Sequence, residues 1–103
     1  MSAPDIDLAA WLRAEVTKDM ESAVAKLRRS RMSAGYRRHL VETANRAGAE
    51  LAILGEHGGE HMCFENTRDG NSWDYYEGDC RVIRQLGYGY RRRPGYREPE
   101  WKP

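Results

Sequence analysis

The sequence predicts a mainly α-helical protein with a single domain over residues 1–103, built on a long antiparallel helical hairpin. A chain of 103 residues suffices for one modest core. The first half carries two long stretches in which apolar residues recur at helical spacing, and the short connection between them favours an antiparallel pair. We expect the helical hairpin over residues 1–56, a knuckle loop over 57–80, and a short third helix with an extended, docked tail over 81–103.

The first helix is predicted by an apolar residue at every third or fourth position. These residues are Leu8, Leu12, Val16, Met20, Val24 and Leu27. The segment Ser2-Ala3-Pro4-Asp5 is typical of a capping box at a helix start. Arg28, Arg29 and Arg31 follow the stripe, where the negative end of the helix dipole stabilises cations without any ligand.

The second helix is predicted by a similar stripe after the short connection Met32-Ser33-Ala34-Gly35. Its apolar members are Tyr36, Leu40, Ala44, Ala47, Leu51 and Leu54. Gly55 then offers a stop or a bend, because glycine is a poor helix former. The two helices should bury their stripes against each other, and the hairpin alone leaves part of both stripes in water.

Smaller elements are predicted for the second half of the chain. An aspartate-glycine step at residues 69–70 lies between two aromatic segments, which indicates a short β-hairpin. From Cys80 as far as Tyr90, apolar residues recur at helical spacing and predict a short third helix. Prolines then favour an extended tail, from which Tyr96 and Trp101 can dock on the helices.

Composition and charge favour a globular protein with little long-range attraction for nucleic acid. The formal net charge is +1, hydrophobic residues make up 40% of the chain, and the mean hydropathy is -0.87. An acidic block over residues 50–79 lies between two basic ones, and charge pairing within the molecule explains this pattern better than a nucleic-acid footprint. Because no apolar run approaches a membrane span and no signal peptide is evident, we expect a cytoplasmic protein with reduced cysteines.

Four soft-metal ligands, His57, His61, Cys63 and Cys80, form the most informative chemical pattern. Two imidazoles and two thiolates can complete a tetrahedral zinc shell, and a structural zinc would stabilise an irregular segment. The spacing is not that of a standard zinc finger, and ligands two apart on a strand must converge sharply. Two reduced thiols and two polar histidines without metal are the alternative. A catalytic Cys63–His61 pair lacks the third group and the elbow that nucleophilic catalysis needs, so we expect no enzymatic activity.

The tail interleaves arginines with aromatic residues. Its candidate binding residues are Arg91, Arg92, Arg93, Tyr96, Arg97 and Trp101. Such side chains can bind phosphates and stack on bases, as in proteins that bind single-stranded nucleic acid. They can instead dock within the molecule through their rings, with the arginines meeting the acidic block. Docking is the prediction, because the chain is short of other core material.

Three motifs of the second half form a recognisable set. They are Ala52-Ile53-Leu54-Gly55-Glu56-His57, Cys80-Arg81-Val82-Ile83-Arg84-Gln85-Leu86, and Pro94-Gly95-Tyr96-Arg97-Glu98 followed by Trp101-Lys102-Pro103. This set resembles a family of small actinobacterial and actinophage proteins with no assigned activity. The resemblance implies a zinc knuckle, with His57 and Cys80 carried over as ligands. Asn66 stands where the family's knuckle has its second cysteine, and His61 can fill that position.

These observations together predict a small non-enzymatic protein–protein interaction module that presents a helical face or the acidic loop to a partner protein. If the source is a phage, the partner would be a host protein. The alternative is a nucleic-acid-binding protein that uses its arginine and tyrosine clusters. The expected cofactor is one structural zinc ion.

Overall fold

The computed structural model describes residues 7–29, 31–67 and 70–103, and it confirms the predicted fold class. The predicted capping box at residues 2–5 lies outside the described residues, as does Asp69 of the predicted turn. The elements are α1 (Leu8–Leu27), α2 (Ala34–His57), β1 (Glu60–Thr67), β2 (Gly70–Glu77) and α3 (Arg81–Tyr88). In the part of the chain that the structure describes, no helix is long and apolar enough to cross a membrane.

α1 begins at an aspartate cap and buries the first half of the predicted stripe. Asp7 accepts a hydrogen bond of 2.7 Å from the amide of Ala10, which satisfies one free amide of the first turn. Leu12 and Val16 are fully buried, and Trp11 widens the buried face. The N-terminal half of α1 therefore supplies the centre of the core.

α2 is longer than the sequence predicts. Ser33 caps the helix through a 3.1 Å hydrogen bond from the amide three residues further on, so Ala34 belongs to the helix and not to the connection. The helix does not stop at Gly55 but continues to His57. A glycine costs a helix only about 1 kcal/mol, and the complete burial of Leu54 offsets this cost.

The first turns of α2 lie away from the core. Tyr36 is 44% exposed, and its predicted place in the core is wrong, whereas Leu40 and Ala47 are buried. The main core lies at the opposite end of the helical hairpin, where Ile83 of α3 and Trp101 of the tail pack against α1 and α2. The beginning of α2 therefore has no third layer to pack against.

The C-terminal tail docks on α1, as predicted, through aromatic rings. The ring centre of Trp11 lies 5.4 Å from that of Trp101 and 5.8 Å from that of Tyr96. Gly95 has a φ of 96°, and a Cβ at this position would lie 2.6 Å from Nε1 of Trp11. Only glycine allows the tail to pass so close to the indole. The tail follows a succession of turns as it covers this end of α1.

Ion pairs connect the C-terminal segment to α1, and a hydrogen bond connects it to α2. Arg93 binds the carboxylate of Asp19 with both guanidinium nitrogens, at 2.7 and 2.9 Å, and Arg46 of α2 reaches this carboxylate at 2.9 Å. The hydrogen bond from Arg93 is the main cause that lowers the pKa of Asp19. Tyr90 donates a 2.5 Å hydrogen bond to Glu50, and burial together with this bond raises the pKa of Tyr90. Arg93 thus pairs with α1 and not with the predicted acidic block.

β1 and β2 form an antiparallel β-hairpin whose strands, at eight residues each, are longer than predicted. Glu60 pairs with Glu77 at one end and Thr67 with Gly70 at the other. Alternate side chains of a strand project to opposite faces, and directly paired residues share a face. The inner face carries His61, Cys63, Asp74 and Tyr76. The outer face carries Glu60, Met62, Phe64, Trp73, Tyr75 and Glu77.

Candidate metal centre

Three elements bring the four predicted metal ligands together. His57 is the last residue of α2, His61 and Cys63 lie on the inner face of β1, and Cys80 caps the start of α3. One nitrogen or sulfur atom from each residue lies within 4.8 Å of the other three. The cluster could therefore hold a metal ion.

His57 is the common neighbour within this cluster. Its Nδ1 lies 3.3 Å from Nε2 of His61, 3.6 Å from Sγ of Cys80 and 3.9 Å from Sγ of Cys63. A ring nitrogen either carries one hydrogen or accepts one, so it cannot hydrogen-bond all three neighbours well at once. A cation between the four atoms would account for all three close approaches.

The separations agree with the size of a tetrahedral zinc shell. Zinc bonds of about 2.0–2.1 Å to nitrogen and about 2.3 Å to sulfur place two nitrogens about 3.3 Å apart, and a nitrogen and a sulfur about 3.6 Å apart. The observed nitrogen–nitrogen distance is 3.3 Å, and the two nitrogen–sulfur distances are 3.6 and 3.9 Å. The three distances from His57 are therefore close to those of a tetrahedral shell, and all four donor atoms lie within 4.8 Å of one another.

The ring of His61 is held so that its Nε2 faces the cluster. Its Nδ1 lies 2.7 Å from the carbonyl oxygen of Gly59, which can only accept a hydrogen bond, so Nδ1 carries a hydrogen and, in the neutral ring, the lone pair is on Nε2. A backbone carbonyl bound to the second ring nitrogen is the usual support of a metal-ligating histidine. The ring of Tyr76 stacks on the same imidazole at 6.0 Å between centres and adds to its orientation.

Burial favours a closed, structural site. Cys63 is 5% exposed and Cys80 is fully buried, while His57 and His61 are half-buried. Cysteine is an unusual helix cap, and the thiol of Cys80 makes no capping hydrogen bond to α3. Its sulfur lies 3.6 Å from Nδ1 of His57 instead, on the side of the cluster.

Two glycines allow the ends of the β-hairpin to close over the end of α2. Gly78 follows β2 with a φ of 110°, and a Cβ on it would lie 2.7 Å from the carbonyl oxygen of Gly58. Any larger residue would separate the segment leaving β2 from the segment entering β1. This close approach keeps Cys80 next to the histidines, although 23 residues separate it from His57.

The sequence spacing of His61 and Cys63 suggested a difficult convergence, and the strand resolves it. Because they are two residues apart on β1, both side chains project from the inner face toward the helices. His57 and Cys80 approach from the helix ends. The four ligands therefore converge from three elements, and β1 keeps its regular geometry.

The predicted binding residues of the tail are mostly used inside the molecule. Three of the six make the contacts described above; they are Arg93, Tyr96 and Trp101. The guanidinium groups of Arg91 and Arg97 lie over neighbouring aromatic rings, at 4.3 and 5.5 Å from the ring centres. Arg92 is exposed. The tail does not gather its arginines into one open surface.

Sequence reasoning missed an apolar surface on the outer face of the β-hairpin. Four large side chains there are exposed: Trp73 by 63%, Tyr75 by 55%, Met62 by 54% and Phe64 by 48%. Phe64 and Trp73 pair across the strands, with 5.2 Å between ring centres. The alternation of metal ligands with large apolar residues along β1, at His61, Met62, Cys63 and Phe64, is the signal that would have separated the two faces.

Comparison of the chain with models of protein families, with curated proteins and with solved structures found no match. The geometry of the described residues therefore carries the assignment of function.

Proposed function

We propose that this protein is a small non-enzymatic interaction module that binds a partner protein through the outer face of its β-hairpin. On this proposal, one structural zinc ion stabilises the module. The observation that carries the proposal is the row of exposed apolar side chains at Met62, Phe64, Trp73 and Tyr75. A chain with a mean hydropathy of -0.87 has little apolar material to spare. Leaving four large side chains together in water is typical of an interaction site.

The residue types on the outer face also support protein binding. Tryptophan and tyrosine are the commonest residues at the energetic centre of protein–protein contacts, because they bury a large area at a small cost in side-chain entropy. The metal cluster lies on the inner face of the same strands, so it fixes the β-hairpin without covering the outer face. The aromatic row is therefore presented in a fixed orientation.

Charge on the outer face indicates which chemistry the partner carries. Glu60 and Glu77 are directly paired, exposed and on the same face as the aromatic row. Like charges that face each other across a β-hairpin are destabilising, and a cation between them removes the repulsion. Tyr75 lies two residues before Glu77 on the same face of β2, so the carboxylates adjoin the aromatic row. We therefore expect an apolar partner segment with an arginine or a lysine, and we expect phosphate to be repelled here.

Zinc is the metal that fits the cluster best. Two thiolates and two imidazoles in a tetrahedron form a standard zinc donor set, whereas magnesium and calcium prefer oxygen ligands. Four protein ligands leave no position for a substrate or a reactive water, which supports a structural and non-enzymatic role. Thiolate ligands need a reducing compartment, so the proposal includes a cytoplasmic location.

An actinobacterial or actinophage origin is part of the same proposal. It is supported by the resemblance of the three motifs of the second half. These motifs lie at the end of α2, at the start of α3 and in the docked tail. On this proposal, the partner of a phage-encoded copy would be a protein of the host.

Photo-crosslinking at the outer face tests the proposal. A benzophenone amino acid replaces Trp73 in the zinc-loaded protein, and the control carries it at Val82, which is 36% exposed on α3. In an actinobacterial lysate we expect one discrete adduct from position 73 and none from position 82. Adducts that are identical from both positions, or missing from both, would refute an interaction site on the β-hairpin.

A second comparison tests the chemistry of the partner. The double substitution Glu60→Gln with Glu77→Gln should weaken the adduct, because it removes the charges that attract the partner's cation. The matched control is Glu21→Gln with Glu42→Gln, which changes two exposed carboxylates on the long helices. Equal adduct yields from both double variants would remove the basic partner from the proposal.

A further inference from the structure

The end of the helical hairpin opposite the core is strongly basic. Residues 22–41 contain six lysines and arginines and no aspartate or glutamate. Since the whole chain has a net charge of +1, the remainder of the molecule is net negative. We use the term helical tip for the end of α1, the connection and the start of α2. Its cations are Lys26, Arg28, Arg29, Arg31, Arg37 and Arg38.

The five arginines of the helical tip are exposed and lack internal partners. Over residues 7–29, 31–67 and 70–103, none of them makes an ion pair or a side-chain hydrogen bond that the structure records. Several arginines elsewhere in the chain do have such partners. Arg46 and Arg93 bind Asp19, and Arg84 binds Asp79. Internal charge pairing therefore does not explain the helical tip.

The helix dipoles explain only part of the cluster. Arg28 and Arg29 follow the C-terminal end of α1, where a positive charge is favourable. Arg37 and Arg38 lie close to the N-terminal end of α2, where the dipole is positive and no acidic residue occupies the first turn. Cations at this position destabilise the helix, so a contribution to folding does not explain Arg37 and Arg38, whereas binding of an external anion does.

From these observations we infer that the helical tip binds the phosphate backbone of single-stranded nucleic acid. Guanidinium groups contact phosphate oxygens through two parallel hydrogen bonds, and the cluster is almost entirely arginine. Tyr36 stands next to Arg37 and is 44% exposed, so its ring can stack on a base. Arginines interleaved with an exposed aromatic ring are typical of single-strand binding surfaces.

Single-stranded nucleic acid fits the helical tip better than a membrane surface does. A helix that lies on a lipid bilayer inserts a broad apolar face, often with tryptophan, phenylalanine or leucine. Around the helical tip, Tyr36 and Val41 are the only large apolar side chains of the described residues with substantial exposure. The surface is also separate from the outer face of the β-hairpin, which lies at the other end of α2.

Fluorescence anisotropy with a labelled oligonucleotide of about 12 mixed-sequence nucleotides tests the inference. We expect micromolar binding at low salt, with little dependence on sequence. If about four phosphates are neutralised, the logarithm of the binding constant should fall with the logarithm of the salt concentration with a slope of about −3. No binding below about 100 μM at about 50 mM salt would overturn the inference.

Matched variants locate the binding surface. Changing all five tip arginines to glutamine should weaken binding at least tenfold and flatten the salt dependence, and Tyr36→Ala should weaken binding without changing the slope. The control is Arg91→Gln with Arg92→Gln in the tail. An equal loss in the tail variant would overturn the placement at the helical tip. Because the tip side chains are exposed, thermal melting should show that the tip variant stays folded.

Two further ligands separate nucleic acid from other polyanions. Vesicles that contain phosphatidylserine and a polyglutamate of similar length should bind at least tenfold more weakly than the oligonucleotide. Equal binding of either ligand would overturn the assignment to nucleic acid. The tip variant should still give the crosslink at position 73, so a failure at the helical tip is distinguishable from a failure at the β-hairpin.

Discussion

At the scale of single residues, His57 connects the metal centre to the core. It ends α2 three residues after Leu54, which is fully buried, and its Nδ1 contacts the other three ligands. The position of this one imidazole is therefore set by the packing of α2 against α1. A change at His57 should remove the centre of the cluster while it leaves the helix itself intact.

Replacement of His57 tests the metal centre. Protein prepared without a histidine tag is expected to contain one zinc per chain by elemental analysis, and His57→Gln is expected to lose it. Loss of a closed metal site should lower the melting temperature by about 8 °C or more, which corresponds to about 2 kcal/mol for a domain of this size. His39→Gln, an exposed histidine on the same helix, should keep both zinc and stability. Zinc contents that do not differ between the two variants would contradict the site.

At the scale of elements, the docked tail and the β-hairpin use tryptophan in opposite ways. Trp101 is 8% exposed and packs on Trp11, whereas Trp73 is 63% exposed on the outer face. Burial of a large aromatic ring stabilises the fold by removing apolar area from water, and an exposed ring contributes little. The two residues therefore distinguish a structural aromatic contact from a binding surface.

These two tryptophans give a paired test of stability. Trp101→Ala should lower the free energy of unfolding by about 3 kcal/mol, because it leaves a cavity against α1. Trp73→Ala should change it by less than about 0.5 kcal/mol. Urea unfolding of both zinc-loaded variants measures the difference. A tail that is not part of the fold would make Trp101→Ala as mild as Trp73→Ala.

The helices could be predicted because the periodicity of apolar residues is a local property of the sequence. The prediction failed where the outcome depends on packing between elements that are distant in sequence. The stripe from Leu8 to Val16 is buried as expected, but Tyr36 continues the pattern of α2 into a region without a third layer. Gly55 has low helix propensity, yet the burial of neighbouring Leu54 carries the helix past it. Local preference alone does not include these tertiary contributions.

The ligand residues of the candidate site could be predicted from the sequence, but the backbone contacts that hold them could not. Soft donor atoms identify His57 and Cys80 from chemistry alone. The support of His61 by the carbonyl of Gly59 and the approach of Gly78 to Gly58 depend on backbone geometry that has no residue-type signature. The two faces of β1 follow from alternation along the sequence, whereas the assignment of the β2 residues to each face required the strand register.

At the scale of the whole molecule, one ion-pair network joins the parts that are distant in sequence. Asp19 of α1 binds Arg46 of α2 and Arg93 of the tail, which is 74 residues away along the chain. Because Arg93 of the tail binds a carboxylate on the first helix, the network joins the C-terminal end of the fold to its N-terminal helix. No pattern within the sequence indicates a contact at such a separation.

The network should make stability depend on pH in the acidic range. The pKa of Asp19 in the folded protein is lowered, mainly by its hydrogen bond with Arg93, so the ion pairs stabilise fully above the ordinary value of 3.8. This stabilisation is lost as the pH falls through the lower folded pKa. Asp19→Asn should cost about 1–2 kcal/mol at neutral pH, and this difference should shrink below about pH 4.

Unfolding of both proteins at several pH values measures this difference. Comparison of the two proteins removes any effect of metal release, because acid would release a bound ion from both. Glu21→Gln, an exposed carboxylate on the same helix, should show a small difference at every pH. A difference between wild type and Asp19→Asn that grows in acid would have the wrong sign for the network.

A single uninterrupted helix sets the spacing between the two ends of the molecule. α2 has 24 residues from its start in the helical tip to its last residue in the metal centre, and at 1.5 Å per residue it spans about 36 Å. Electrostatic influence between exposed charges fades over about 8 Å at physiological ionic strength. The charges of the helical tip and those of the outer face of the β-hairpin therefore act independently, and a charge substitution at one end should not alter binding at the other. Insertion of seven residues into α2 would move the two ends about 10 Å further apart, with little change in their relative rotation.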